Sequence, residues 1–261
     1  MLASAIESRF SNAVFGTPPV GMQVGEYHCG GCSLRNLCLP AGLKDAETLR
    51  FEAIVDGRNR VAREGVLYRM GDKFQSIYAI KFGHFKTQSV DRNGCIHVTG
   101  FHMAGELLGM DAIDGRQYHC NAVALEDSEV CAIPFEEFEE LTAEMPALLR
   151  GFHRIMSQEM VREQNVMLTL GSMRAEQQFS IFLINLGSRY AGRGYSSTRF
   201  QLRMSRDDIA NYLGLTVESI SRLLRGLTTR GLITVDKREV KILDLEGLRS
   251  LAAGNTPCLP M

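Results

Sequence analysis

The sequence predicts an α+β fold in two parts, an antiparallel β-roll and then a long helix leading into a helical module with a β-hairpin. Three observations carry this expectation. Between Val61 and Pro134 the chain breaks into short apolar runs punctuated by glycine, the texture of an antiparallel roll or barrel. Over residues 147–170 a helical pattern runs without a strong breaker. From Ser205 onward two short helical patterns meet at Gly214 and are followed by two strand-like runs.

In chain order, residues 1–25 hold Gly16, Pro18, Pro19, Gly21 and Gly25 without sustained periodicity, which reads as a loose arm. A compact cysteine run follows, Cys29-x2-Cys32-x5-Cys38, closed by Pro40. Residues 41–56 place Leu43, Ala46, Leu49 and Ala53 at helical spacing. The strand-like runs are GVLYRMGD, SIYAIKFGHFKTQSV, IHVTGFHMAGELLGMD and NAVALEDSEVCAIP, with DRNG as a turn. Residues 135–149 are helical and acidic, with Pro146 near the end. The long helix, 147–171, stops at Gly171-Ser172, the expected boundary between a first domain (26–146, cysteine segment and roll) and a second (172–261). A helix over 173–190 opens that second domain, and another near 245–252 ends it.

Composition narrows the function classes. The formal net charge is −1, yet residues 1–171 carry 16 Lys/Arg against 22 Asp/Glu, while residues 172–261 carry 13 against 8. A basic C-terminal third behind an acidic body is the pattern of a polyanion-binding module joined to something else. No apolar run approaches the roughly 18–20 residues that cross a bilayer, and MLASAIESRFSNAVFG lacks the parts of a secretory signal. The expectation is a cytoplasmic protein with no membrane partner. Thiols stay reduced in that compartment, so seven cysteines, an odd number, read as metal ligands or reactive thiols. The sequence holds no nucleophile elbow, phosphate-binding glycine loop or paired-carboxylate site, so an enzyme is not expected.

The strongest local pattern is SRDDIANYLGLTVESISRLLRGLTTRGLITVDKREVKIL. Ser205 can cap a short helix whose first turn holds Asp207 and Asp208, where negative charge suits the dipole. Ala210 is small where helices must approach, Gly214 suits the reversal, and Thr216 can cap the second helix. Ile209, Leu213, Leu215, Ile220 and Leu223 supply one shared apolar seam. This is the spacing of a helix-turn-helix whose second helix enters the DNA major groove, and the strands around the turn at 236–239 form a wing. Glu218, Ser221 and Arg222 fall outside the seam and are the candidate base readers. Arginine bonds bidentately to guanine, a carboxylate accepts from cytosine N4, and serine serves either kind of base. An ordinary solvated face with an i, i+4 Glu–Arg pair would show the same residues. The turn glycine, the wing and the basic domain together favour DNA reading.

GVLYRMGD, IYAIKFGHFK, GFHMAGELLGMDAI and the helix-turn-helix with its wing together resemble the CRP/FNR superfamily, from about Tyr27 onward. The resemblance implies a cyclic-nucleotide-binding-like β-roll as sensor, a long dimerisation helix and a winged helix-turn-helix, acting as a homodimer on double-stranded DNA. Within that superfamily the chain resembles the FNR branch, in which three clustered cysteines and one distant cysteine hold an oxygen-labile 4Fe–4S cluster. That implies Cys29, Cys32, Cys38 and, from its VCAIPF context, Cys131 as ligands. By itself Cys131 would pass for a small core residue. Cys120 stands as the alternative fourth ligand or a redox-active neighbour, since the chemistry of ligation favours neither. Cys95 falls in a hairpin turn and Cys258 in the tail, and neither is expected to serve. Thiolates also suit zinc, so a zinc-stabilised or otherwise effector-responsive regulator of the superfamily is the alternative, although the second short cysteine pair usual for zinc is missing.

Cyclic-nucleotide binders of this superfamily carry an Arg-Ser pair for the phosphate after a Gly-Glu segment. Gly105-Glu106 is present, but the later stretch reads Tyr118-His119-Cys120-Asn121, so no cyclic nucleotide is expected. The resemblance further implies a palindromic site like TTGAT-N4-ATCAA, activation of genes for anaerobic metabolism, and contact with RNA polymerase through the turn at 91–94. On the long helix, Phe152, Met156, Met160, Met167 and Leu170 form one stripe that also takes in Glu163. As a dimer seam it would bring two copies of Glu163 together, and their repulsion would hold the helix near the monomer–dimer balance. The alternative puts Glu163 at the rim, paired with an arginine such as Arg162 of a second copy.

Overall fold

The computed structural model describes residues 29–254, so the expected arm at 1–25 and Cys258 lie outside the described residues. Turns occupy the cysteine segment, and the first helix, α1 (Asp45–Ala53), is shorter than the expected 41–56. The reason is local: Leu43 N–H bonds back to the Pro40 carbonyl in a turn. Lys44 is then extended as N-cap, with its N–H donated to the Glu47 carboxylate 2.8 Å away.

Two four-stranded antiparallel sheets form the roll. Their strands are β1 (Arg58–Val61), β2 (Val66–Tyr68), β3 (Ser76–Phe82), β4 (His84–Val90), β5 (Ile96–Met103), β6 (Leu107–Leu108), β7 (Asn121–Ala124) and β8 (Ser128–Pro134). One sheet runs β1-β8-β3-β6 and the other β2-β7-β4-β5. By the period-2 pattern Ile80 of β3 faces the same side as its partner Val130 of β8, while Ile77 and Ala79 face the other side with their partners Ile133 and Cys131. Ile77, Ala79, Ile80, Val130 and Ile133 belong to one core with Phe85. The polar strand β1 was not expected; it lies along β8 with Arg58 opposite Cys131. The DRNG turn forms as read. Gly94 takes φ +83, and the Asp91 carboxylate accepts from the Asn93 and Cys95 N–H groups at 2.8 and 2.9 Å.

Helix α2 (Phe135–Glu144) ends at Met145, ahead of the expected 149. Proline disfavours helical backbone in the residue before it, and Met145 has φ −124 and ψ 82. Pro146 itself is at home in the first turn of α3 (Pro146–Ser172). The start of α3 buries Leu148, Gly151 and Phe152 against the roll. Extended Met173 and Arg174 then separate it from α4 (Ala175–Ala191), so the break falls just past the expected Gly171-Ser172.

The C-terminal domain continues with β9 (Arg199–Gln201), α5 (Arg206–Leu213), α6 (Val217–Thr229), β10 (Ile233–Asp236), β11 (Glu239–Ile242) and α7 (Leu245–Ala253). The wing is a sheet of order β10-β11-β9, one strand larger than the expected hairpin. The core of this domain takes in Val98, Phe101 and Met103 of β5, so the roll and the C-terminal domain share one apolar interface. Among the described residues no helix is long and apolar enough to cross a membrane.

Candidate functional site

The cysteine segment is a chain of tight turns. Cys32 N–H bonds to the Cys29 carbonyl, Arg35 N–H to that of Cys32, and Cys38 N–H to that of Leu34. Arg35 ties the segment down by donating to the Leu43 carbonyl at 2.8 Å and to Thr48 Oγ1 at 3.2 Å. Buried Leu39 is its apolar anchor. These turns carry Cys29, Cys32 and Cys38 to the face of β8 that presents Cys131, and the four together line a cavity of about 40 Å³ with Phe51 and Ile133.

Burial pushes the Cys29 and Cys38 thiols up to about 12 and raises that of Cys131. Lys81 and Arg58 act against this at Cys131. The donor set is soft and its walls are largely apolar, while Lys81 and Arg58 also pair with Glu129. Soft thiolates suit a metal or cluster, whose coordination itself strips the thiol proton, but among the described residues no three His, Cys, Asp or Glu stand gathered to hold a metal ion. Cys120 is elsewhere. It is buried in the roll, 4.0 Å from the Tyr68 hydroxyl, on a different cavity. Cys95 is exposed in its turn.

That second cavity, of about 420 Å³, lies between the roll and α3, where Tyr68, Thr87, His102, Asp111, Glu159 and Glu163 help to line it. Its lining holds no lysine or arginine among the described residues. Glu106 turns its carboxylate to arginines instead, as detailed below.

The reading face is built as the capping pattern requires. Ser205 accepts from Asp208 N–H at 3.0 Å and Asp208 returns the bond to Ser205 N–H, a reciprocal cap for α5. Gly214 takes the left-handed conformation with φ +64 at the reversal. Thr216 caps α6 through Ser219 N–H. Ile209, Leu213 and Ile220 are buried together, with Leu224 and Leu227 added to the seam. Glu218 and Arg222 are exposed and Ser221 half-buried, and all three share one open concave surface with Val217 and Arg225. Arg206 escaped the sequence reading; its Nη1 donates to Ser221 Oγ at 3.4 Å.

The stripe on α3 divides. Phe152 is core and Met156 packs against it, whereas Met160 is 57% and Met167 68% exposed. Leu170 is exposed, with Val161 and Leu168 beside the stripe. Glu163 is exposed too, on the side of α3 that borders the roll cavity. Arg162 is engaged within its own chain, with Glu106 at 3.2 Å and with Glu159.

Residues 58–145 match the family described as "Cyclic nucleotide-binding domain" and residues 178–251 the "Crp-like helix-turn-helix domain". The "Transcriptional regulatory protein btr" of Bordetella pertussis is 44% identical over 224 residues, 86% of this chain and 93% of that protein. The "Transcriptional activator protein FnrA" of Stutzerimonas stutzeri is 42% identical over 228 residues, 87% of this chain and 93% of its own. The chain belongs to the CRP/FNR family of transcription regulators. Within CRP/FNR it is also 39% identical over 240 residues to the "Fumarate and nitrate reduction regulatory protein" of Yersinia pestis, 91% of this chain and 96% of that one. It is thus a DNA-binding regulator of the FNR branch and not an enzyme. Among solved structures, FixK2 of Bradyrhizobium japonicum has the same CRP/FNR fold, with TM-score 0.70 and 23% identity over 76% of this chain and 98% of that chain.

Proposed function

We propose that this CRP/FNR chain is an oxygen-responsive regulator of anaerobic-metabolism genes, active as a homodimer and holding a 4Fe–4S cluster on Cys29, Cys32, Cys38 and Cys131. The observation that carries the reading is the single cavity lined by all four of these cysteines, with Cys120 apart from it. When bound, such a cluster supplies oxygen-labile redox chemistry. The chain's own residues do the rest. Turns and Arg35 hold three thiols, and β8 holds the fourth.

Exposed Met160, Glu163, Met167 and Leu170 would form the dimer seam, bringing two copies of Glu163 together. Two copies of α6 would then read a palindrome like TTGAT-N4-ATCAA, because a two-fold dimer presents the same helix to half-sites one duplex turn apart. The turn at 91–94 is the proposed RNA polymerase contact, and the cytoplasm is the proposed location. The carboxylates on the roll cavity support a protein that takes no cyclic nucleotide, since an anionic phosphate needs a charged, hydrogen-bonding partner there.

Anaerobic purification with iron, sulfide and zinc analysis and a visible spectrum tests the proposal. Iron with sulfide and an absorbance lost in air supports it. Stoichiometric zinc without iron replaces it with the zinc-stabilised alternative.

A further inference from the structure

Glu106 sits in the short connection between β5 and β6, where its own backbone is fixed on both sides. Its N–H donates to the Met103 carbonyl at 3.1 Å, and its carbonyl accepts from Ile80 N–H at 2.9 Å. The side chain points to the junction of roll, α3 and C-terminal domain. Arg189 of α4 grips it with two bonds, Nε to Oε1 at 3.2 Å and Nη2 to Oε2 at 2.6 Å. Arg193, just past α4, donates Nη2 to Oε1 at 2.7 Å. Arg162 of α3 donates Nη1 to Oε2 at 3.2 Å, and Met103 N–H completes the shell at 3.1 Å. The same arginines also hold backbone of the β5–β6 region, Arg189 at the Phe101 carbonyl and Arg193 at that of Ala104, each at 2.6 Å.

One carboxylate thus gathers three guanidiniums from two other parts of the molecule. All four side chains are partly or largely buried. Removing one partner from such a cluster leaves unpaired buried charge, so the arrangement is close to all-or-none. The residue before Glu106 carries the other end of the connection. Gly105 has φ +88, and a Cβ there would stand 2.9 Å from Leu37 Cβ, one residue from Cys38. The cysteine segment therefore abuts the Gly105–Glu106 turn directly.

We propose that Glu106 is a positioning residue that latches the DNA-reading domain to the roll and to α3, and that the Leu37–Gly105 contact lets the cysteine segment set the latch. The second half rests on the sensor role proposed above; the first half does not. The latched arrangement leaves Glu218, Arg222 and Arg225 exposed, and the latch is assigned to the DNA-competent form. Burial opposes ionisation of Glu106, but Arg189, Arg162 and Arg193 together hold its carboxyl far below the usual carboxylate range, which keeps the latch charged at any physiological pH.

The test uses the full-length protein purified without oxygen, with Glu106→Gln and Arg193→Met made singly and together. Each variant is read for iron content and spectrum, for affinity to a duplex carrying TTGAT-N4-ATCAA, and for the rate of tryptic cleavage after exposed Arg174 between α3 and α4. The expected result is an unchanged spectrum, at least a tenfold loss of DNA affinity in each single variant and faster nicking at Arg174, with little added by the second substitution. Affinity and nicking that match the unsubstituted protein overturn the proposal, and so does a gain in affinity, which would make the contact a restraint. If one variant does not fold, the other decides the matter alone. A further variant, Leu37→Ala, should reproduce the nicking; if it leaves the latch readouts unchanged, the relay from the cysteine segment fails while the latch stands. Absence of iron in the unsubstituted protein removes the proposed sensor but leaves the nicking comparison valid.

Discussion

At the scale of single residues, position separates cysteines that chemistry alone does not. Cys120 and Cys131 are both in or beside strands, yet Cys131 shares a cavity with the N-terminal three and Cys120 shares one with Tyr68. Serine at Cys29, Cys32, Cys38 or Cys131 is therefore expected to abolish the anaerobic iron–sulfur absorbance, whereas Cys120→Ser keeps it. The opposite behaviour of Cys120 and Cys131 would reverse the ligand assignment. On α6, Arg222 is exposed and can reach a base edge, with its guanidinium donating to Ser219 Oγ at 3.2 Å. Arg222→Ala should lose about 1–3 kcal/mol on the preferred half-site and relax selectivity at one base pair. Binding to a panel of half-site variants checks it; an equal loss on every variant would mean a phosphate contact. The cysteine run and the candidate readers of α6 could be picked out because their spacing is local. Glu106 was visible only as half of a family motif. Its partners lie 56, 83 and 87 residues away, and no local pattern reports a contact of that span.

At the scale of elements, the end signals decided most boundaries. Ser205, Gly214 and Thr216 each do the backbone work that their residue types suggest. The misplaced ends have equally local causes, the turn at Pro40 that shortens α1 and the proline effect that stops α2 at Met145. Strands β1 and β9 escaped because both are short and mostly exposed, with no apolar alternation to mark them. Helix α3 shows the limit of periodicity: one stripe in the sequence serves the roll core at Phe152 and solvent at Met160 and Met167. Its exposed half, Glu163 included, is what a second copy would cover. Glu163→Ala should shift the protein towards dimer in air and raise operator binding without a cluster. Sedimentation of that variant as a monomer, with no gain in binding, would discard the repulsion mechanism.

At the scale of the whole molecule, the two domains are joined by charge as much as by apolar packing. Besides the Glu106 cluster, Lys86 of β4 meets Asp208 of α5 at 2.5 Å, and Asn211 bonds to the β5 backbone at Val98 N–H and the Ile96 carbonyl, at 2.6 and 2.7 Å. Glu126 accepts from His84 at 2.6 Å and pairs with Arg203 at 2.9 Å. The bond from His84, made within the roll, holds the Glu126 carboxyl below its ordinary 4.5, and Arg203 of the C-terminal domain adds to this. At Asp208 burial pushes upward, but Lys86 and Ser205 prevail and hold it below 3.8. A carboxylate with a lower pKa when docked stabilises docking above its free value, and that contribution is lost as pH falls through the docked value. The Lys86–Asp208 contribution to docking should therefore be full above pH 3.8 and weaken progressively below it. Small-angle scattering on acidification would show the molecule lengthen only in that range; lengthening that begins near neutrality would contradict it. The sequence revealed two domains through composition, but their shared interface on β5 follows from tertiary packing and left no mark in either half.

The placement of Cys131 also has a consequence in time. It lies on β8, which is paired on one edge with Arg58 of β1 and on the other with Ala79 of β3, so its position is settled as soon as the roll has formed. The other three thiols ride on a few turn bonds and the Arg35 anchor. Uptake of the proposed cluster would then be a closing event, in which a settled strand waits and the turn segment arrives. Hydrogen exchange should find the amides of Cys32, Arg35 and Cys38 opening well before those of β8, and slowing most when iron is bound. In that order of events the last part of the chain's first domain to become rigid is the first to be made, and loss of the metal would undo only that final step.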